Sequence, residues 1–160
     1  MPREIERKFL VRHEGWRRDV VRSIPMVQGY LTRMGYPGCT RSSVRVRVAG
    51  EQAWLNIKRA ELGVSRLEYQ YPIPVPEARE MLEKLSMGPL IEKIRHEVPV
   101  GSHLWEVDVF EGANAGLVVA EIELRHENED FVRPDWLGEE VSHDPRYYNT
   151  SLMEHPYSQW

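Results

Sequence analysis

The sequence predicts an α+β protein built on eight antiparallel strands with a few helices. These strands form either an open sheet with one solvated face or a closed barrel with a charged interior. Two observations lead to this prediction. Apolar and polar residues alternate with period two in eight segments, as in strands with one packed face. The polar faces of these segments are strongly charged.

The eight predicted strands follow one another along most of the chain. In the first, Glu4, Glu6 and Lys8 alternate with Ile5 and Phe9. The same alternation recurs in each of the others, so every strand has one apolar and one polar face. The predicted strands cover residues 4–11, 27–32, 44–48, 55–58, 66–71, 93–98, 105–109 and 120–125.

Three segments predict helices. Residues 76–86 carry apolar residues at helical spacing, with a proline near the start and Gly88 just past the end. Residues 14–24 have an apolar residue at every fourth position, and residues 147–153 predict a third helix. We expect these helices to cover the apolar face of the sheet. The Gly-containing stretches 34–39 and 112–116 predict hairpin loops.

Composition excludes several classes of protein. The 160 residues, predicted to form a single domain over 1–160, carry 25 acidic and 21 basic side chains, which argues against a duplex-DNA partner. No apolar run reaches the roughly 20 residues of a membrane span, and a signal peptide is not expected. The single Cys39 predicts a reducing, cytoplasmic location. A monomer and a homodimer both stay possible.

The charges on the polar faces are sorted by sign. A solvated sheet face usually mixes both signs, whereas Glu4 neighbours Glu6 and Arg45 neighbours Arg47. A polyphosphate with a divalent metal ion would match both kinds of block, because hard cations bind carboxylates and phosphates bind Arg and Lys. The cations are Lys8, Arg45, Arg47, Lys58, Arg66, Lys93, Arg95 and Arg125, and the carboxylates are Glu4, Glu6, Glu68, Glu97, Glu106, Asp108, Glu121 and Glu123.

The pattern Glu4-x-Glu6-x-Lys8 within EIERKFLV resembles the N-terminal signature of CYTH domains, the triphosphate tunnel metalloenzymes. Further segments fall in the order shown by short bacterial members: VQGYLT, VRVR, the Lys58 strand, SRLEY, EKIR, WEVDVF, AEIEL and RYYN. The resemblance implies an eight-stranded antiparallel tunnel that binds a small-molecule triphosphate with one or two Mg²⁺ or Mn²⁺ ions and hydrolyses it.

The resemblance also implies roles for individual residues. We expect a metal-bound water to be activated by the Glu121/Glu123 pair or assisted by Tyr30, and alanine at Glu123 or Lys58 to abolish turnover. The alternative role for Tyr30 is that of a packing tyrosine with a satisfied hydroxyl. Arg66 and Arg125 are each expected either to contact phosphate or to pair with a carboxylate inside the tunnel. The implied metal ligands are Glu4, Glu6, Asp108, Glu121 and Glu123, with Glu106 and Glu68 as further candidates. The implied phosphate clamp comprises Lys8, Arg45, Arg47, Lys58, Lys93 and Arg95.

The expected activity is that of an inorganic triphosphatase, which splits tripolyphosphate into diphosphate and phosphate. Thiamine triphosphatase, nucleoside triphosphatase and class IV adenylate cyclase are alternatives within the same fold. A non-catalytic polyphosphate-binding module is a further alternative, although binding alone would need mainly the basic clamp. Trp54 shares a face with Lys58, and Tyr147 and Asn149 are expected either to close one tunnel mouth or to cap a helix.

Overall fold

The computed structural model describes residues 3–32, 41–61 and 63–160. The predicted loop 34–39, with Cys39, therefore lies outside the described residues. The strands are β1 (Arg3–Val11), β2 (Arg22–Tyr30), β3 (Ser42–Ala49), β4 (Gln52–Arg59), β5 (Ser65–Pro72), β6 (Ile91–Val100), β7 (His103–Phe110), β8 (Val118–Glu123) and β9 (Leu137–Glu140). The α-helices are α1 (Val75–Leu85) and α2 (Asn149–Glu154), and 3₁₀ turns cover Glu14–Asp19, Gly112–Asn114, Pro145–Tyr147 and Tyr157–Gln159.

Eight strands close into an antiparallel barrel, as the family resemblance implied. Their order is β5-β4-β3-β2-β6-β7-β8-β1, and the ring closes where β1 pairs with β5, with Glu4 opposite Arg66. The short β9 was not predicted. It pairs with Phe9 and Val11 in the second half of β1, beyond the part that β5 covers.

The apolar faces of the strands point outward and are covered by the helices and loops. Ala78 and Leu82 of α1 pack on Val46 and Val48 of β3, and α2 packs against Ile91 in a second apolar cluster. A third cluster surrounds the fully buried Trp16 and Trp105. Because the core lies outside the barrel, the charged faces are left for its interior.

The prediction of a helix over residues 14–24 is wrong beyond its first half. A 3₁₀ turn ends at Asp19, and Arg22 already pairs with Glu97 of β6. Pro25 explains the error, because a proline removes a helical hydrogen bond and holds the preceding residue, Ile24, in extended conformation. The predicted helices over 76–86 and 147–153 are confirmed within two residues at each end.

Two connections between neighbouring strands depend on glycine. Gly50 between β3 and β4, and Gly101 between β6 and β7, each have a φ of +60°. A side chain would strain this backbone, and glycine supplies it in two-residue hairpin turns. No helix in the described parts of the chain is long and apolar enough to span a membrane.

Candidate active site

A cavity of about 280 Å³ occupies the barrel interior. Most of the predicted site residues line it, since the inward face of each strand is the face that alternation assigned. These are Glu4, Glu6, Lys8, Tyr30, Arg45, Arg47, Lys58, Arg66, Glu68, Arg95, Glu106, Glu121 and Glu123.

Four charged residues from the polar faces do not line the cavity. Lys93 and Asp108 are fully buried behind its wall. Glu97 pairs with Arg22 at 3.5 Å, and Arg125 lies exposed beyond the end of β8. Alternation therefore placed most of the charged residues on the face that lines the cavity, but it could not give their depth.

Asp108 joins two cations in the buried wall. Its Oδ2 accepts a hydrogen bond from Lys93 Nζ at 2.7 Å, and its Oδ1 accepts one from Arg95 Nε at 2.8 Å. A third bond runs from Arg95 Nη2 to Oδ2 at 2.9 Å. Burial opposes ionisation, but Arg95 and Lys93 outweigh it and lower the pKa of Asp108. Burial, against the attraction of Asp108, lowers the pKa of Lys93 to about 7.

Arg95 connects these buried residues to carboxylates that line the cavity. Its Nη1 donates to Glu106 Oε2 at 3.0 Å, and its Nη2 lies 3.7 Å from Glu121 Oε2. Lys8 Nζ approaches the other oxygen of Glu121 at 3.8 Å. Against the effect of burial, Lys8 and Arg95 hold the pKa of Glu121 well below its usual value. Glu121 is therefore ionised at neutral pH.

A second ionic group lies where β1, β4 and β5 meet. Lys58 Nζ donates to Glu4 Oε2 at 2.9 Å and lies 3.9 Å from Glu68 Oε1. The buried Asn56 donates from Nδ2 to both Glu68 and Gln70 at 3.0 Å. Lys58 is thus held between two carboxylates.

Arg45 and Arg47 of β3 differ from Lys58 of β4 and Arg95 of β6, which are paired with carboxylates. Among the described residues, neither has a carboxylate within 4.0 Å. Arg45 Nε is buried without a hydrogen-bond partner within the described ranges, and Arg47 Nε donates to Gln28 Oε1 at 2.9 Å. Burial, with Arg45 and Arg95, lowers the pKa of Arg47. Both guanidinium groups are free to bind an anion.

Glu6 and Glu123 show the opposite imbalance. No Lys or Arg within the described ranges lies within 4.0 Å of either carboxylate. Burial, then Glu121 and Glu4, raise the pKa of Glu6 well above its usual value. Partial burial and Glu4 raise the pKa of Glu123. Carboxylates without cation partners have the oxygen chemistry that hard divalent ions prefer.

The carboxylates of the cavity have the oxygen atoms that a divalent ion binds, but they are not already arranged around one ion position. Within the described residues, no three carboxylate, His or Cys side chains are gathered around a common point. Glu4 and Glu68 are engaged by Lys58, and Glu106 and Glu121 by Arg95. Binding an ion would therefore require some carboxylates to exchange a protein cation for the metal.

The two regions of the cavity wall away from the charged centre differ in chemistry. Tyr148, Asn149 and Thr150 line one of them, where the Tyr148 hydroxyl donates to Ser142 O at 2.8 Å and Lys8 Nζ donates to Tyr147 O at 3.1 Å. Of the two residues singled out from the sequence, Asn149 lines the cavity, whereas the Tyr147 ring packs on Trp160.

The other region is partly apolar. Ile24, Met26 and Trp54 lie there beside Arg22 and Gln52. Trp54 was placed on the inner face from the sequence. Arg22 and Ile24 were missed because they fall inside the wrongly predicted helix, although their period-two spacing with Met26 was a readable signal.

Comparisons with known proteins agree with this geometry. The CYTH domain family model matches residues 2–157. An inorganic triphosphatase of Acetivibrio thermocellus is 46% identical over 98% of this chain and 97% of its own length. An inorganic triphosphatase of Nitrosomonas europaea is 37% identical over 93% of this chain and 95% of its own length.

Solved structures include barrels of the same kind. The crystal structure of an inorganic triphosphatase superposes with a TM-score of 0.65 at 32% identity, covering 94% of this chain and 97% of that one. A candidate adenylate cyclase from Bacillus halodurans superposes with a TM-score of 0.60 at 18% identity over 79% of this chain and 84% of its own. The second likeness concerns the fold alone.

Proposed function

The chain belongs to the CYTH domain family, and from that premise we propose that it hydrolyses inorganic triphosphate to diphosphate and phosphate with Mg²⁺ or Mn²⁺. The observation that carries the proposal is a double imbalance in one cavity. Arg45 and Arg47 lack carboxylate partners among the described residues, while Glu6 and Glu123 lack cations. A metal triphosphate supplies both missing charges.

Phosphate binding falls to the cations that reach the cavity. Arg45 and Arg47 would bind phosphate oxygens directly, because guanidinium groups offer paired N–H donors. Lys8, Lys58 and Arg66 complete this set. Lys93 would act from behind the wall, through Asp108 and the neighbouring Arg95.

The carboxylates would hold the divalent ion. Glu6 is the first candidate because it is unpaired, and Glu4, Glu68, Glu106 and Glu121, which also line the cavity, are the further candidates implied by the family. Asp108, also implied by the family, lies behind the cavity wall and is bound by Lys93 and Arg95. Glu123, the second unpaired carboxylate, is the candidate for proton transfer. The ion would neutralise charge on the phosphate oxygens and lower the pKa of a bound water.

Glu123 is the better general base of the Glu121/Glu123 pair. Its raised pKa brings it closer to neutral pH, whereas the lowered pKa of Glu121 makes that carboxylate a poor proton acceptor. Water attacks the terminal phosphorus as its proton passes to Glu123. The bond between that phosphorus and the bridging oxygen breaks, and diphosphate leaves, stabilised by the cations. Tyr30, inside the barrel, would assist by a hydrogen bond.

Organic triphosphates are a second candidate substrate class. The apolar wall of Ile24, Met26 and Trp54 could contact a ring attached to the phosphate chain, because aromatic side chains stack on such rings. This observation favours thiamine or nucleoside triphosphates over a longer inorganic chain at that end.

One assay separates these functions. Purified protein is incubated with equal concentrations of tripolyphosphate, thiamine triphosphate or ATP, each with Mg²⁺, Mn²⁺ or EDTA, and released phosphate and cyclic nucleotide are measured. We expect the fastest release from tripolyphosphate and none in EDTA. Cyclic nucleotide formation from ATP, or binding without release under every metal, would overturn the proposal.

A further inference from the structure

Gln28 is a buried polar residue that the proposed reaction does not use. It lies on β2 directly opposite Arg47 of β3, and its exposed fraction is 0%. It is absent from the cavity lining, so it does not meet the substrate. Its side-chain oxygen accepts the hydrogen bond from Arg47 Nε at 2.9 Å.

The nitrogen of the Gln28 side-chain amide finds no hydrogen-bond partner in the part of the chain that the structure describes. This Nε2 atom is buried, and a buried unsatisfied donor costs stability. An apolar side chain of similar shape, such as methionine, would remove this donor but would leave Arg47 Nε without its acceptor. The bond to Arg47 is therefore what favours an amide at position 28.

The pairing with Arg47 supplies an explanation. A guanidinium has five N–H donors, and the bond at Nε fixes the plane of the group while leaving the Nη donors for another acceptor. The acceptor is also neutral. Carboxylates hold Lys58 and Arg95 and offset their charge, whereas an amide oxygen orients Arg47 and leaves its full positive charge on the cavity wall.

We infer that Gln28 is a positioning residue for Arg47, orienting its guanidinium toward a phosphate group of the substrate without neutralising it. This inference rests on the proposed function. If Arg47 binds phosphate equally in the ground state and the transition state, loss of its orientation raises KM and leaves kcat nearly unchanged.

The test uses two substitutions at position 28. Gln28→Met removes the unpartnered donor but also the acceptor of Arg47 Nε, so one unsatisfied donor replaces another and we expect a melting temperature close to that of the wild type. The KM for tripolyphosphate should rise about tenfold or more, the effect of losing one hydrogen bond to a charged group, with kcat within about threefold. Gln28→Glu keeps an acceptor but adds a negative charge, and it should also weaken binding. Gln159→Met, in an exposed 3₁₀ turn, is the matched control.

A double-mutant cycle shows whether Gln28 acts through Arg47. In an Arg47→Ala background, Gln28→Met should have no further effect on KM or on tripolyphosphate binding measured by titration calorimetry in EDTA. An equal loss in both backgrounds, or wild-type binding by either position-28 variant, would overturn the inference while leaving the proposed function intact. A wild-type protein that neither binds nor hydrolyses tripolyphosphate would overturn both.

Discussion

Replacing Asp108 by leucine should destabilise the protein far more than removing an exposed ion pair. Asp108 is fully buried and accepts three hydrogen bonds from Lys93 and Arg95. Removing one partner of a buried pair typically costs about 3–5 kcal/mol. The lower end applies, because Lys93 can lose its proton, with a pKa already near 7, and Arg95 keeps Glu106 and Glu121. For a domain of this size, about 3 kcal/mol lowers the melting temperature by about 6–12 °C.

Thermal unfolding followed by circular dichroism checks this magnitude, with Glu80→Gln as control. Glu80 and Lys84 form an exposed pair worth about 0.5 kcal/mol or less. The double variant Lys93→Met/Asp108→Leu should recover part of the loss, because it leaves no lysine unpaired. The reasoning is refuted if Asp108→Leu melts within about 2 °C of the wild type, or if the double variant is no more stable than the single one.

Three further predictions concern the cavity. Lys58→Met should lower kcat/KM for tripolyphosphate by about 100-fold or more with an unchanged circular dichroism spectrum, and retained activity would remove Lys58 from the clamp. Burial and Glu121 raise the pKa of Glu6 above its usual value of 4.5, so the fold favours the neutral form of this carboxyl group. The stability that the neutral form contributes is fully present below pH 4.5 and is lost as the pH rises through the folded-state pKa. Glu6→Gln should therefore melt above the wild type at pH 8 but not at pH 4, and a lower melting temperature at pH 8 would contradict this. Trp54→Ala should reduce thiamine triphosphate hydrolysis more than tripolyphosphate hydrolysis, and equal losses on both substrates would show that the ring makes no selective contact.

The sequence was a good guide to which way each side chain faces. Alternation with period two is a property of the extended backbone, so the residue pattern alone was enough to place Glu4, Lys58 and Glu121 on the inner face of the barrel. Alternation could not predict how deeply each side chain is buried. Lys93 and Arg95 are on the same face of β6, yet only Arg95 reaches the cavity, because the packing of neighbouring strands decides how much of a face is covered.

Other features depended on signals that are weak or non-local. The strand β9 is four residues long and contains a glycine, so it shows too little alternation to be recognised. The pairing of Gln28 with Arg47 depends on the register between β2 and β3, which alternation leaves open. Tyr148, rather than its neighbour Tyr147, lines the cavity, because the connection between the preceding 3₁₀ turn and α2 is tight.

Product analysis of tripolyphosphate hydrolysis with and without divalent ions tests the central claim most directly. The wild type should release one phosphate and one diphosphate per tripolyphosphate in Mg²⁺ or Mn²⁺ and neither in EDTA, and Glu123→Ala should fold normally yet release neither. Hydrolysis that continues in EDTA, or full activity in Glu123→Ala, would contradict the account.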